Sequence, residues 1–497
     1  MAAKNQNGYF VSNPVKSSRI SELGACKENP DKAFSICPTY QARGVGHIQK
    51  SFRLDDHYLN GLLTQGAPSM PTQRSQLLAK FFVVFFMTIT WCTLSWAVYP
   101  PEPQSGGRFF SSKGTKGAQE YRYLGRTGVL RDYEDYYYGK GLKHEIFNVR
   151  PYLSYTGDWD SNVFLTDDDE ASDYISRLNW GADGEMVMEE GKYVLSSGIH
   201  SESEWFAQHG DENHTDWVYQ LGGEMNFTHF QVKVFEEFQR TVNRAGTELT
   251  NRLARNENYL SGLITIPFGQ FFHETEVSHY KLEFRDPVLD LFDRQEFRVV
   301  PRLGMDVGDR TQALVEYDIT NINYDSSEDR NGDAHQVALG ARGFLGEGDL
   351  VTYQAWAGWQ VRNYDSDARD DFSGFVFRSN VEYRRSELSK FYLEANRRPV
   401  ESVSTTNSYI VRNEVAARWR RQITEKLGGE LQGFVGFDDY SNGRLDFYWE
   451  PGTRLDYLLP GNVAHLFTEY RYTGRHSDAS NSDYMRHLVS FGIRFEV

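Results

Sequence analysis

From about residue 143 to residue 497 the sequence repeats one pattern: long runs in which every second residue is apolar. In FNVRPYLSY, Phe147, Val149, Pro151, Leu153 and Tyr155 share one face, and Asn148, Arg150, Tyr152 and Ser154 the other. FRVVPRLGMDV sets Phe297, Val299, Pro301, Leu303 and Met305 against Arg298, Arg302 and Asp306. VTYQAWAGWQV sets Val351, Tyr353, Ala355, Ala357 and Trp359 against Thr352, Gln354 and Gln360. Successive side chains of a strand point to opposite faces, so each run offers one apolar and one polar surface. A soluble sandwich alternates too. Its strands, however, are usually about 5–6 residues long, whereas these runs reach about 12–16.

The connections decide the architecture. Short ones, EEGK (189–192), PFGQ (267–270), VGDR (307–310), LGEGD (345–349) and LPGN (459–462), alternate with long ones at 158–172, 203–215, 324–334 and 363–371. Short periplasmic turns alternating with long outer loops are the mark of an outer-membrane barrel. The expected fold is therefore all-β, a transmembrane antiparallel barrel of about 18 strands, with 16 the alternative, over 143–497. In HLVSFGIRFEV, apolar residues alternate up to Val497, as in the terminal strand that barrel-insertion machinery recognises. A barrel of this size encloses water, so a hydrophilic cargo is expected.

A barrel must first be exported. The uncharged stretch FFVVFFMTITWCTLSWA (81–97) follows Arg74 and Lys80 and ends in Ser95-Trp96-Ala97. That is a positive n-region, an apolar h-region and a small-x-small cleavage site. Residues 70–97 read as a signal peptide starting at Met70, residues 1–69 as an upstream extension outside the mature protein, and 98–142 as a Pro/Gly/Tyr-rich periplasmic lead-in. Cys26, Cys37 and Cys92 all precede the cleavage point, so no thiol or Cys-based metal site is expected in the mature chain. Residues 1–97 hold 10 Lys and Arg against 5 Asp and Glu, which leaves 43 against 64 in the remainder. So acidic a chain lacks the basic footprint of nucleic-acid binding and suits an outer surface bridged to lipopolysaccharide by divalent cations.

Candidate functional residues fall into three sets. On the polar faces stand Arg150, Arg177, Arg298, Arg302, Arg342, Arg362, Arg378, Arg412, Arg418, Arg420 and Arg454, among acids such as Glu185, Glu224, Glu316, Asp318, Glu382, Glu414, Glu430 and Glu450. They make either a charged lumen that selects anionic solutes or sugars, or salt-bridged ladders that stiffen the wall. The aromatics Tyr152, Trp356, Phe434 and Tyr448 also fall on this side. Second, RTVNRAGTELTNRLAR (240–255), in the third outer loop, carries Arg240, Arg244, Arg252 and Arg255 against the single acid Glu248. It is read as a basic constriction folded into the lumen, or as a solvated loop with a short helix. Third, the outer stretches 158–172, 323–334 and 363–371 hold 14 acids and 2 bases. Asp167, Asp168, Asp169 and Glu170 are weak Ca²⁺ candidates there, with a solvated acidic rim as the alternative.

Enzyme signatures are missing. HETEVSH (273–279) spaces its histidines too widely for the zinc-binding H-E-x-x-H, and no G-x-S-x-G occurs. No catalysis and no cofactor are expected.

The stretch VRPYLSYTGDWDSNVFLTDDDEASDYISRLNWG (149–181) resembles the first hairpin of the putative β-barrel porin 2 type, barrels encoded with exopolysaccharide and capsule clusters. The resemblance rests on Pro151, Asp158, Asp160, Asn162, Val163, Phe164, Ser172, Asp173 and Ile175; Asn179, Trp180 and Gly181 depart from the family's Pro-Gly-Leu. It implies a channel that secretes an exopolysaccharide or capsular polysaccharide, with periplasmic export proteins as partners. The alternative is a diffusion porin for small anionic or sugar solutes, and the third reading a structural or adhesive surface barrel.

Overall fold

The computed structural model describes residues 142–497 except 145, 243, 245–247, 249–250, 309, 347–349, 387, 462–463 and 497. The upstream extension, the signal peptide and the lead-in up to residue 141 lie outside the described residues.

Eighteen long strands, from Phe147–Asp160 to Tyr484–Glu496, follow one another as antiparallel neighbours, and the last pairs with the first, Val489 opposite Trp159 and Phe495 opposite Leu153. This is a closed outer-membrane barrel. A three-residue strand, Leu142–His144, hairpins onto the inner end of the first long strand. Closure is obligatory in a bilayer, where each unsatisfied backbone group costs several kcal/mol and water cannot repair it. The strands run 11 to 16 residues. The long connections are tighter than the sequence suggests: 203–215 contracts to 207–213 and 324–334 to 325–331, because the strands continue past their apolar bands.

The two faces separate as the alternation requires. Leu153, Leu221, Leu303, Val337, Leu339, Val415 and Leu431 point outward as an exposed apolar band. Aromatics border it: Trp159, Trp205 and Tyr219 near the outer rim, and Phe227, Phe230, Phe268 and Phe271 at the short turns, with Phe227 stacked on Phe230. Such girdles sit at the two membrane–water interfaces. Inward, the buried side chains are mostly polar or charged. No helix of the described residues is long and apolar enough to cross a membrane.

One seam departs from regular closure. Phe372–Ser386 pairs with Ser389–Glu401 only from the short turn up to Phe377 opposite Arg397, leaving Phe372–Val376 without ladder partners on that side. Ser389–Glu401 stays paired to Tyr409–Gln422 along its full length. The outer end of Ser389–Glu401 therefore parts from Phe372–Val376, while Tyr409–Gln422 stays paired to Leu427–Tyr440 up to Ile410. Val411, outward by parity, is buried against Phe372 and Val376, both of which face inward. Arg397 crosses the gap and donates from Nε to the carbonyl of Phe375 at 3.1 Å.

Candidate functional site

Most arginines of the inner wall are tied to acids, as register dictates. Arg302 lies opposite Glu316 on one neighbouring strand and Glu274 on the other. Its guanidinium bridges Glu316 at 2.7 Å and Glu276 at 2.9 Å, and Glu316 also takes Arg378 at 2.7 Å. Arg298 pairs with Asp318, Arg342 with Glu274 at 2.6 Å, and Arg362 with Glu401. Further round, Arg412 meets Asp438 at 3.0 Å, Arg418 and Arg420 share Glu430, and Arg454 takes Asp456 and Glu469. Arg177 joins Asp158 at 2.6 Å and Glu204 at 2.7 Å. Arg150, at the inner rim, makes no ion pair among the described residues. Of the two readings of these arginines, the ladder describes the geometry. A buried pair costs desolvation that only near-ideal geometry offsets. Its contribution here is to hold guanidinium groups flat against the wall.

Aromatics lie flat as well, for a different reason. Trp356 stands opposite Gly340, and a Cβ on Gly340 would come within 2.6 Å of the indole Nε1. Tyr448 covers Gly436 in the same manner, and Phe434 stacks on it at 5.4 Å. Glycine is required because the ring occupies the Cβ's place. Arg378 caps the Trp356 ring at 4.5 Å and Arg494 caps Tyr152 at 4.5 Å.

Two connections have described residues that meet near the outer end of the barrel. The third outer loop, 242–254, joins Gln231–Thr241 to Arg255–Phe268, and the loop 402–408 joins Ser389–Glu401 to Tyr409–Gln422. Eight strands lie between these loops one way round the wall and ten the other, so they arise almost opposite each other. They nevertheless touch. Glu248 accepts hydrogen bonds from Ser402 Oγ at 2.7 Å, Val403 N at 2.5 Å and Asn407 Nδ2 at 3.1 Å. Burial pushes its carboxyl above the usual carboxylate range, against the pull of those donors. Val403 continues across into an apolar cluster of Tyr259, Tyr280, Leu282, Phe284 and Phe292 on the far side.

Arg330 fixes the second loop from the side. Fully buried, it donates to the carbonyls of Ser402 at 3.0 Å and Ser404, with Phe292 and Tyr324 against its guanidinium. Glu401 is held by Arg362 and by the Tyr324 hydroxyl at 2.5 Å.

The four basic residues expected in a constriction divide. Arg244 donates to the carbonyl of Val163 at 2.6 Å, and Arg252 pairs with Glu212 at 3.4 Å beneath the Phe206 ring. Both dock the third loop on its neighbours. Arg255 is buried at the strand start and held by Glu257 at 2.6 Å. Arg240 points away from the lumen by strand parity and is exposed, so it is no part of a gate. No helix forms among the described residues of this loop. Among the described residues of this loop, the side chain that reaches the loop 402–408 is its one acid, Glu248. Asp167, Asp168, Asp169 and Glu170 are all exposed, and among the described residues no His, Cys, Asp or Glu group is arranged to hold a metal ion.

Sequence reasoning missed Glu248, Arg330 and the loop 402–408. One signal was present: Val403 is the lone apolar residue in the otherwise polar run ESVSTTNS (401–408), where a solvated loop needs none.

The family model described as Putative beta-barrel porin 2 matches residues 135–497. The chain belongs to that family. Family membership and the closed 18-strand wall make it a porin-type barrel of the bacterial outer membrane. Among solved structures it is similar to OpdK of Pseudomonas aeruginosa with vanillate, at 11% identity and a TM-score of 0.41, covering 70% of this chain and 99% of that one. OccK2 (OpdF) of the same species matches at 10% and 0.42, covering 71% and 98%. A BenF-like porin from Pseudomonas fluorescens Pf-5 matches at 11% and 0.41, covering 71% and 99%. No curated protein sequence matches the chain.

Proposed function

We propose that this porin is a passive diffusion channel for small hydrophilic solutes, anionic ones foremost. The observation that carries the reading is the latch of Glu248 onto Ser402, Val403 and Asn407, which joins opposite walls across the bore. A small solute needs only a gap beside such a junction. A threaded polysaccharide needs both loops withdrawn, and with them the Arg330 and Val403 contacts. Secretion of an exopolysaccharide, implied by the family resemblance alone, gains no support from this geometry. The preference for anions rests on the wall, where arginines outnumber acids around the recess lined by Arg298, Arg362 and Arg378.

The test is liposome swelling with purified protein and sugars of increasing mass, alongside an in-frame deletion strain. A sharp size limit near a disaccharide, with surface polysaccharide unchanged in the deletion strain, is the expected result. Polymer accumulating in the periplasm of that strain would replace this reading with export.

A further inference from the structure

Near mid-height of the wall, three neighbouring strands place Trp356, Arg378 and Asn396 side by side, all facing the lumen: Trp356 is opposite Arg378, and Arg378 opposite Asn396. They line a recess of about 160 Å³. Their polar atoms are not spent. Asn396 is 2% exposed, yet neither its Oδ1 nor its Nδ2 has a partner, and Trp356, 4% exposed, leaves its indole N–H unpaired. Arg378 gives Nη2 to both oxygens of Glu316, at 2.7 and 3.0 Å, and its Nε remains open. A buried polar atom left unsatisfied costs about 1–3 kcal/mol. Two adjacent residues of this kind, beside an open guanidinium N–H and around one recess, constitute a site awaiting an acceptor.

The chemistry of that acceptor follows from the lining. Two N–H donors, from Trp356 and Arg378, lie on residues that line the same recess as Asn396, whose amide both donates and accepts. Arginines around the recess outnumber its acids, and Glu316, the carboxylate that reaches this group, is already shared between Arg378 and Arg302. Gly340 keeps the indole against the wall, with the Arg378 guanidinium over its ring. We infer that this recess binds a small carboxylate, with Arg378 Nε and Trp356 Nε1 donating to its oxygens and the Asn396 amide completing the set. Its volume suits a solute of three to six carbons. The inference rests on the small-solute reading above and gives it a residence point within the pore.

Single-channel recording in KCl tests it, with lactate as the probe and glycerol, of similar size and no charge, as the control. Asn396→Asp places a like charge in the recess at almost no change of volume. Trp356→Phe removes only the N–H donor and keeps the ring. Lactate should interrupt the wild-type current, while glycerol should not. Half-block should need about tenfold more lactate in Asn396→Asp and a few-fold more in Trp356→Phe, with a heat-modifiable gel mobility like that of wild type showing that each barrel is folded. Wild-type block by lactate in both variants would overturn the site while leaving the porin reading standing. Block by glycerol equal to lactate would overturn the carboxylate assignment. An inserted wild-type pore that neither lactate nor any small solute enters would remove the porin reading, and this inference with it.

Discussion

Replacing Glu248 by Ala should unlatch the two loops, and the size of the effect can be worked from the contacts. The carboxylate accepts three hydrogen bonds, each worth about 1.5–3 kcal/mol for a charged acceptor, or on the order of 6 kcal/mol gross. Burying the charge costs several kcal/mol, which offsets most of that gain. A net latch of about 2 kcal/mol is the reasonable residue, which corresponds to roughly a 30-fold change in the ratio of joined to parted loops. Single-channel recordings in planar bilayers read that ratio as occupancy of small and large conductance states. Glu248→Ala should populate the large state about 30-fold more. No cysteine occurs after Cys92, so the pair Glu248→Cys with Asn407→Cys supplies the converse: oxidation should hold the small state and reductant should release it. If Glu248→Ala matches wild type and the oxidised pair gates freely, the loops do not meet across the bore and the reasoning fails.

Other outcomes follow from the same structure. Burial raises the Glu248 carboxyl, so the joined state is favoured below that raised pKa and weakens as pH climbs through it; large-state occupancy should rise with pH in wild type and stay flat in Glu248→Gln. Arg330→Met removes the donors to Ser402 and Ser404, and limited proteolysis should then cut within 402–408, a segment resistant in wild type. Glu316→Gln leaves Arg302 and Arg378 facing a weaker acceptor; breaking a buried ion network costs about 3–5 kcal/mol, which should appear as a lower temperature of gel-mobility shift. Gly340→Ala drives a Cβ into the Trp356 indole, and the ring, displaced into the bore, should lower KCl conductance; unchanged conductance would contradict the ring's placement.

The wall was legible because alternation is a one-dimensional signal. Leu303 and Arg302 take opposite faces whatever their neighbours are, and long runs separated by turns leave a membrane barrel as the economical solution. Whether Arg302 is a free lumenal charge or half of a ladder depends on register, which pairs it with Glu316, fourteen residues on. Alternation carries no such information. The constriction was half legible. Its ordinal position and its basic residues pointed inward, but the basic residues dock on neighbouring loops while Glu248 makes the crossing. Nothing local marks that choice, because its partners lie more than 150 residues away. Asn396 was passed over for the opposite reason, since an uncharged amide on a polar face looks like any other lumenal residue until its neighbours prove too few to satisfy it.

The seam beside Phe372–Val376 has a consequence for how such a pore diversifies. A hairpin end that shares no ladder with one neighbour can change its length or composition without imposing register on the next strand. Residues 397–408, which share no ladder with Phe372–Val376, thus form an exchangeable insert in an otherwise rigid sieve. Descendants of one barrel can acquire new cargo by rewriting that insert, while the closed frame that the membrane demands is inherited intact.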